Sequence, residues 1–142
     1  MNQLSAVLKK AGNMMLQYQQ PRVYAKGKHA DFVTEADLAV QEFLLEELAK
    51  LFPTAKFFAE EKKDNVLTDA LTFIIDPIDG TTNYFRKREC SVISVGAVEN
   101  KRPVLGAIFA PYQNRLYHAQ LAGVPGAVKR GCGSQKNPLS GR

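Results

Sequence analysis

The chain has 142 residues, enough for one ordinary domain with one substantial core. At 45% hydrophobic and 23% charged residues it has the balance of a globular protein, and no apolar run reaches the roughly 18 residues of a membrane span. Its net charge of +5 draws on Lys129, Arg130, Lys136 and Arg142 near the carboxyl end, but no aromatic residues interleave with that tail, so mild attraction for anionic substrates is expected and nucleic-acid binding is not.

Leu4, Val7, Leu8, Ala11, Met14, Met15 and Tyr18 recur at three and four residues, which predicts an amphipathic helix that Pro21 ends. The methionine pair reads as core filling. This segment carries Lys9 and Lys10 and lacks the apolar stretch of a signal peptide, so a cytoplasmic location is expected. Lys26 to Asp31 is polar and turn-like. A second helix is predicted from near Thr34, with an apolar face through Val40, Phe43, Leu44, Leu48 and Leu51, closed by Pro53. Thr34 fits its N-cap, with Asp37 three residues on as an acidic variant of the capping box.

The rest reads as strands. Lys56 to Ala59 is short, and Leu71 to Ile75 is an apolar run ending at Asp76, with a long hairpin expected between the two. Ser91 to Val98, Val104 to Ala110 and Arg115 to Ala119 follow, the first two joined by a turn at Asn100-Lys101. Ala127 to Lys129 is a candidate for one more, and Gly131 to Pro138 is loop chemistry. Two helices followed by hairpin-linked strands predict an α+β fold, with layered helices packed on a mainly antiparallel sheet. The two cysteines, Cys90 and Cys132, fit no zinc or redox spacing. Cys90 precedes an apolar run and is expected to be buried, and a reducing compartment suits both.

Chemistry concentrates at Asp76-Pro77-Ile78-Asp79-Gly80-Thr81-Thr82. Two carboxylates this close repel unless a cation neutralises them, and a hard divalent ion prefers oxygen ligands. Gly80 permits an unusual backbone angle, and Thr81-Thr82 starts a turn or short helix whose N–H groups can hold a phosphate. Read alone, the same string also fits a turn with solvated aspartates. Glu60 and Glu61, after the Phe57-Phe58-Ala59 strand, either bring a third carboxylate to this point or form a charged loop with Lys62, Lys63 and Asp64. Thr34 and Asp37 either cap a helix or cap it and serve the site as well.

The string Asp76 to Tyr84 resembles the first signature of the inositol monophosphatase family. Asp31-x-Val33-Thr34-x-x-Asp37 and the Glu60-Glu61 pair follow that family's order and approximate spacing. The resemblance covers nearly the whole chain but only the first half of a typical member. It therefore implies the amino-terminal half of the inositol monophosphatase/fructose-1,6-bisphosphatase-like fold, with residues 1–142 as a metal- and phosphate-binding domain. It implies Mg²⁺ as cofactor, a first ion held by Glu60, Asp76 and the Ile78 carbonyl and a second by Asp76 and Asp79. Glu61 supports this set. Thr81, hydrogen-bonded to Asp37, is the implied group that orients the attacking water, which makes Thr81, Asp37 and Glu60 the expected catalytic residues. The N–H groups of Gly80 and Thr81 are expected to bind the substrate phosphate, with Lys26 beside them.

The implied reaction is direct attack of water on a phosphate monoester with two-metal assistance. The expected substrate is inositol monophosphate or a related small polyol or sugar phosphate. Fructose-1,6-bisphosphatase activity is the alternative within the class, and the Gly80-Thr81-Thr82-Asn83 string fits a 3′-phosphonucleotide phosphatase less well. His29 and His118 take no part. A homo-oligomer is implied and a membrane partner is not. The family's second signature, a Trp-Asp element whose aspartate completes the second metal site, has no counterpart in a chain without tryptophan. A truncated, non-catalytic fragment that binds metal or acts as an interaction module is accordingly the second reading. Such a fragment is expected to expose apolar surface and self-associate.

Overall fold

The structure, a computed structural model, describes residues 2–18, 20–25, 32–59 and 68–121. Helix α1 spans Asn2–Gln17 and buries Leu4, Val7, Leu8, Ala11 and Met15, as its periodicity predicts. Two short strands follow, β1 (Val23–Ala25) and β2 (Phe32–Thr34), paired antiparallel. Neither stands out as a strand in the sequence, because three residues are too few to show a period. Helix α2 spans Glu35–Leu51 and buries Ala36, Val40, Leu44 and Leu48 along one face. Its N-cap is Thr34, in a complete capping box with Asp37.

Five further strands are β3 (Lys56–Ala59), β4 (Thr72–Asp79), β5 (Val92–Glu99), β6 (Arg102–Ala110) and β7 (Arg115–Gln120). They form one sheet in the order β3-β4-β5-β6-β7. A short helix α3, Thr81–Phe85, lies between β4 and β5. The pairs β4–β5, β5–β6 and β6–β7 are antiparallel, so the mainly antiparallel α+β expectation holds. The β3–β4 pair is parallel, which corrects the expected long hairpin: parallel neighbours cannot be joined by a hairpin and need a crossover.

One face of the sheet carries Phe73, Ile75, Ile93, Val95, Ala97, Leu105, Ala107 and Phe109, all buried with the inner sides of α1 and α2. The other face leaves Ile74, Ile108 and Tyr117 exposed. Gly12 lets α1 approach β6 closely, since a Cβ built there would lie 2.4 Å from Phe109 Cε1. The β5–β6 turn at Asn100-Lys101 has positive φ at both residues, 50° and 60°, the geometry of a two-residue type I′ hairpin.

Two further expectations are corrected. Cys90 is exposed. It sits in the link between α3 and β5, and the burial expected of it belongs to its neighbour Ser91. Strand β4 also does not stop at Asp76 but runs on to Asp79. The candidate strand at Ala127–Lys129 and the loop after it lie outside the described residues.

Candidate metal and phosphate site

The extension of β4 is irregular, and the irregularity builds the site. Asp76 pairs with Ser94 and Asp79 pairs with Val92, so three steps along β4 oppose two along β5. That is a β-bulge, and Pro77, with no N–H to give the ladder, lies inside it. In a regular strand, residues three apart point to opposite faces. Here Ser94 and Val92 share a face, and paired residues share a face, so the bulge returns Asp76 and Asp79 to the same side. That side is the one turned away from α1 and α2. Asp76 is half-buried with its Oδ1 shielded from solvent, while Asp79 is exposed.

After the bulge the chain turns through Gly80, the N-cap of α3, at φ 86° and ψ 41°. Only glycine takes this left-handed geometry without strain. The turn sets Thr81 against α2. The Thr81 hydroxyl lies 3.1 Å from Asp37 Oδ1 and 3.0 Å from the Ile78 carbonyl, and it can donate to either. Asp37 is itself fixed. Its Oδ2 accepts from the Thr34 N–H at 2.8 Å and from the Thr34 hydroxyl. The Asp37 N–H donates back to Thr34 Oγ1 at 3.3 Å. Asp37 is 3% exposed, so a helix cap and a link to the β4 turn are combined in one buried carboxylate.

Of the residues singled out in the sequence, Asp37, Ile78, Gly80 and Thr81 thus come together through direct contacts, and Asp76 and Asp79 share a sheet face beside them. Lys26, Asp31, Glu60 and Glu61 lie outside the described residues. Ala59, the residue before Glu60, pairs with Ile75, the residue before Asp76. Among the described residues no three His, Cys, Asp or Glu side chains gather on one point. A cleft of about 280 Å³ opens by Tyr18, Tyr84 and Tyr112, and no predicted site residue lines it.

Two residues without an assigned role in the sequence reading hold α3 in place. The buried Tyr84 hydroxyl lies 2.8 Å from the Met15 carbonyl and 3.2 Å from the Tyr18 carbonyl and can donate to either, tying α3 to the end of α1. Burial, helped by Tyr112, Asp37 and Tyr18 nearby, pushes the Tyr84 phenol well above the ordinary tyrosine range, so it stays a donor. The Ser91 hydroxyl, fully buried, donates to the Gly80 carbonyl at 3.0 Å. A serine opening an apolar strand is an ordinary sequence feature, and only the fold brings it to Gly80.

A profile of the inositol monophosphatase family matches residues 2–141. The chain belongs to that family. Inositol monophosphatase 1 of Saccharomyces cerevisiae is 43% identical over 95 residues, which are 65% of this chain and 32% of that protein. Among solved structures, the inositol monophosphatase of Thermotoga maritima superposes with a TM-score of 0.77 at 32% identity, covering 86% of this chain and 49% of that one. An inositol monophosphatase/NADP phosphatase solved with Mg²⁺ and phosphate matches with a TM-score of 0.76 at 28% identity, over 84% of this chain and 47% of that one. The chain therefore spans about a third of the yeast relative and about half of the solved chains.

Proposed function

We propose that this inositol monophosphatase family chain carries the metal- and phosphate-binding part of a Mg²⁺-dependent phosphomonoesterase acting on inositol monophosphate or a related sugar phosphate. The observation that carries the reading is the Asp37–Thr81–Ile78 link standing beside two carboxylates that a β-bulge has turned to one face. The relative solved with Mg²⁺ and phosphate supports the choice of ligands.

The donor set fits a hard cation. Asp76, Asp79 and the Ile78 carbonyl are all oxygen donors, with no thiolate or imidazole among them. These residues, with Glu60, would hold Mg²⁺, which when bound lowers the pKa of water and neutralises charge on the phosphate and leaving oxygen. The chain's own groups do the positioning. Thr81 has one hydroxyl proton and two acceptors for it, so its lone pairs are left to accept a hydrogen bond from the attacking water. Asp37 Oδ2 is occupied by Thr34, so Oδ1 is the atom that takes the Thr81 proton. Thr81 can then pass a proton from water toward Asp37 without either side chain moving. The N–H groups of Gly80 and Thr81, with Lys26, receive the phosphate.

The test pairs binding with turnover. Mg²⁺ affinity is measured by calorimetry, and phosphate release is followed from inositol monophosphate, fructose 1,6-bisphosphate and a 3′-phosphonucleotide. Mg²⁺ should bind, release should require it, and inositol monophosphate should be preferred. Asp76→Asn should abolish both Mg²⁺ binding and release. Unchanged Mg²⁺ binding in Asp76→Asn would refute the assigned ligands, whereas Mg²⁺ binding without any release would favour the non-catalytic fragment.

A further inference from the structure

We infer that Ser91 is a positioning residue for phosphate capture, acting through the Gly80–Thr81 peptide; this rests on the reading of the site given above. The Gly80 carbonyl accepts two hydrogen bonds, one from the Tyr84 N–H at 2.9 Å and one from the Ser91 hydroxyl at 3.0 Å. The first is the opening bond of α3 and would form in any helix starting here. The second comes from another element, the residue before β5. Ser91 is wholly buried, so its hydroxyl has no competing solvent.

The carbonyl of Gly80 and the N–H of Thr81 belong to one planar, trans peptide unit. They point in opposite directions. Fixing the carbonyl from two sides therefore fixes the direction of the Thr81 N–H. As the first residue of α3, Thr81 has no acceptor for that N–H within the helix. Without Ser91 the unit would be held by one helical bond in a five-residue helix, next to a glycine with wide backbone freedom. The same plane sets the Thr81 Cα and thus the hydroxyl that faces Asp37 and Ile78. Ser91 also lies against the turn itself, since a Cβ built on Gly80 would sit 3.6 Å from its Oγ and 3.8 Å from its Cα.

The test uses Ser91→Ala in the whole chain, with inorganic phosphate in the presence of Mg²⁺ as probe. Phosphate affinity should fall about tenfold, the equilibrium effect of one hydrogen bond. Affinity for Mg²⁺ alone should not change, because Asp76 and Asp79 are untouched. By NMR of the phosphate-bound chain, in which phosphate is the acceptor of the Thr81 N–H, that amide should shift and exchange faster with solvent in Ser91→Ala, and Ser91→Thr, which keeps the donor, should restore it. Tyr84→Phe deletes a hydroxyl bond at the other end of α3, and it should leave the Thr81 amide protected even where it lowers stability. Wild-type phosphate affinity in Ser91→Ala, or an unaltered Thr81 amide, would overturn the inference. Failure of the wild-type chain to bind phosphate with Mg²⁺ would instead refute the phosphatase reading, and the positioning role with it.

Discussion

Asp37 links the cap of α2 to the Thr81 turn, so its removal should be felt in both. Asp37→Ala leaves the Thr34 N–H and hydroxyl without their acceptor at a position with 0% exposure. A buried donor left unmade costs about 1–3 kcal/mol, and loss of a negative charge at a helix N-terminus adds about 0.3–1 kcal/mol. The hydroxyls of Thr34 and Thr81 can rotate, and Thr81 still has the Ile78 carbonyl at 3.0 Å. The expected total is therefore about 3 kcal/mol rather than the sum of the upper limits. Asp37→Asn is a sharper probe. With its oxygen toward Thr34 the cap survives, and its NH₂ donates to Thr81, whose own proton must then go to Ile78. The cost should be about 1 kcal/mol, mostly lost charge assistance. In the proposed mechanism the proton path is reversed, since position 37 can no longer accept from Thr81, and any turnover should drop by roughly 10²–10⁴ as for loss of a general base. Urea unfolding read by circular dichroism gives the first quantity. With a slope of about 1.5 kcal/mol per molar, Asp37→Ala should lower the midpoint by about 2 M and Asp37→Asn by less than about 1 M. Equal damage from the two substitutions, or no change in either midpoint, would show that the carboxylate does not bear the cap.

Gly12→Ala should destabilise the fold by about 1–2 kcal/mol in the same urea assay, because overpacking outweighs the roughly 1 kcal/mol gain in helix propensity. The new methyl would stand 2.4 Å from the Phe109 ring, and Phe109→Leu should partly rescue it. Lys101→Gly should raise the thermal midpoint, since φ is 60° at the second position of the type I′ turn and glycine relieves about 1 kcal/mol of strain there. The exposed Lys101–Asp69 ion pair at 3.9 Å is too loose to offset that gain. Tyr84 gives a pH signature. Its folded pKa is raised, so its contribution is complete below the ordinary value of 10.0 and is lost as pH climbs from there toward the folded value. Stability should fall above pH 10.0 by up to about 1.4 kcal/mol per pH unit, and Tyr84→Phe should flatten that slope in denaturation curves.

Self-contained local signals were legible in the sequence. The burial of Leu4, Val7, Leu8, Ala11 and Met15 follows from a helical period. The Thr34–Asp37 box and the Asn100-Lys101 turn use neighbours three or fewer residues apart, so their chemistry is written in adjacent letters. Asp76 to Tyr84 is equally local, and it carried the family resemblance that the profile match over residues 2–141 bears out. Whatever depended on two distant segments was decided by tertiary structure. The parallel pairing of β3 with β4 arises because both strands bury their inner faces in one core, and an apolar run does not state its direction. The bulge that turns Asp76 and Asp79 to one face exists only in register against β5, and in the sequence the two aspartates are simply three apart. Cys90, expected to be buried, is exposed while Ser91 is buried, because the link from α3 enters β5 one residue later than the apolar run suggests. The contact of Thr81 with Asp37 spans 44 residues, and that of Ser91 with Gly80 spans 11. A hydroxyl's partner at such separations is chosen by how strands and helices pack, because its own short side chain can reach only what the fold brings to it.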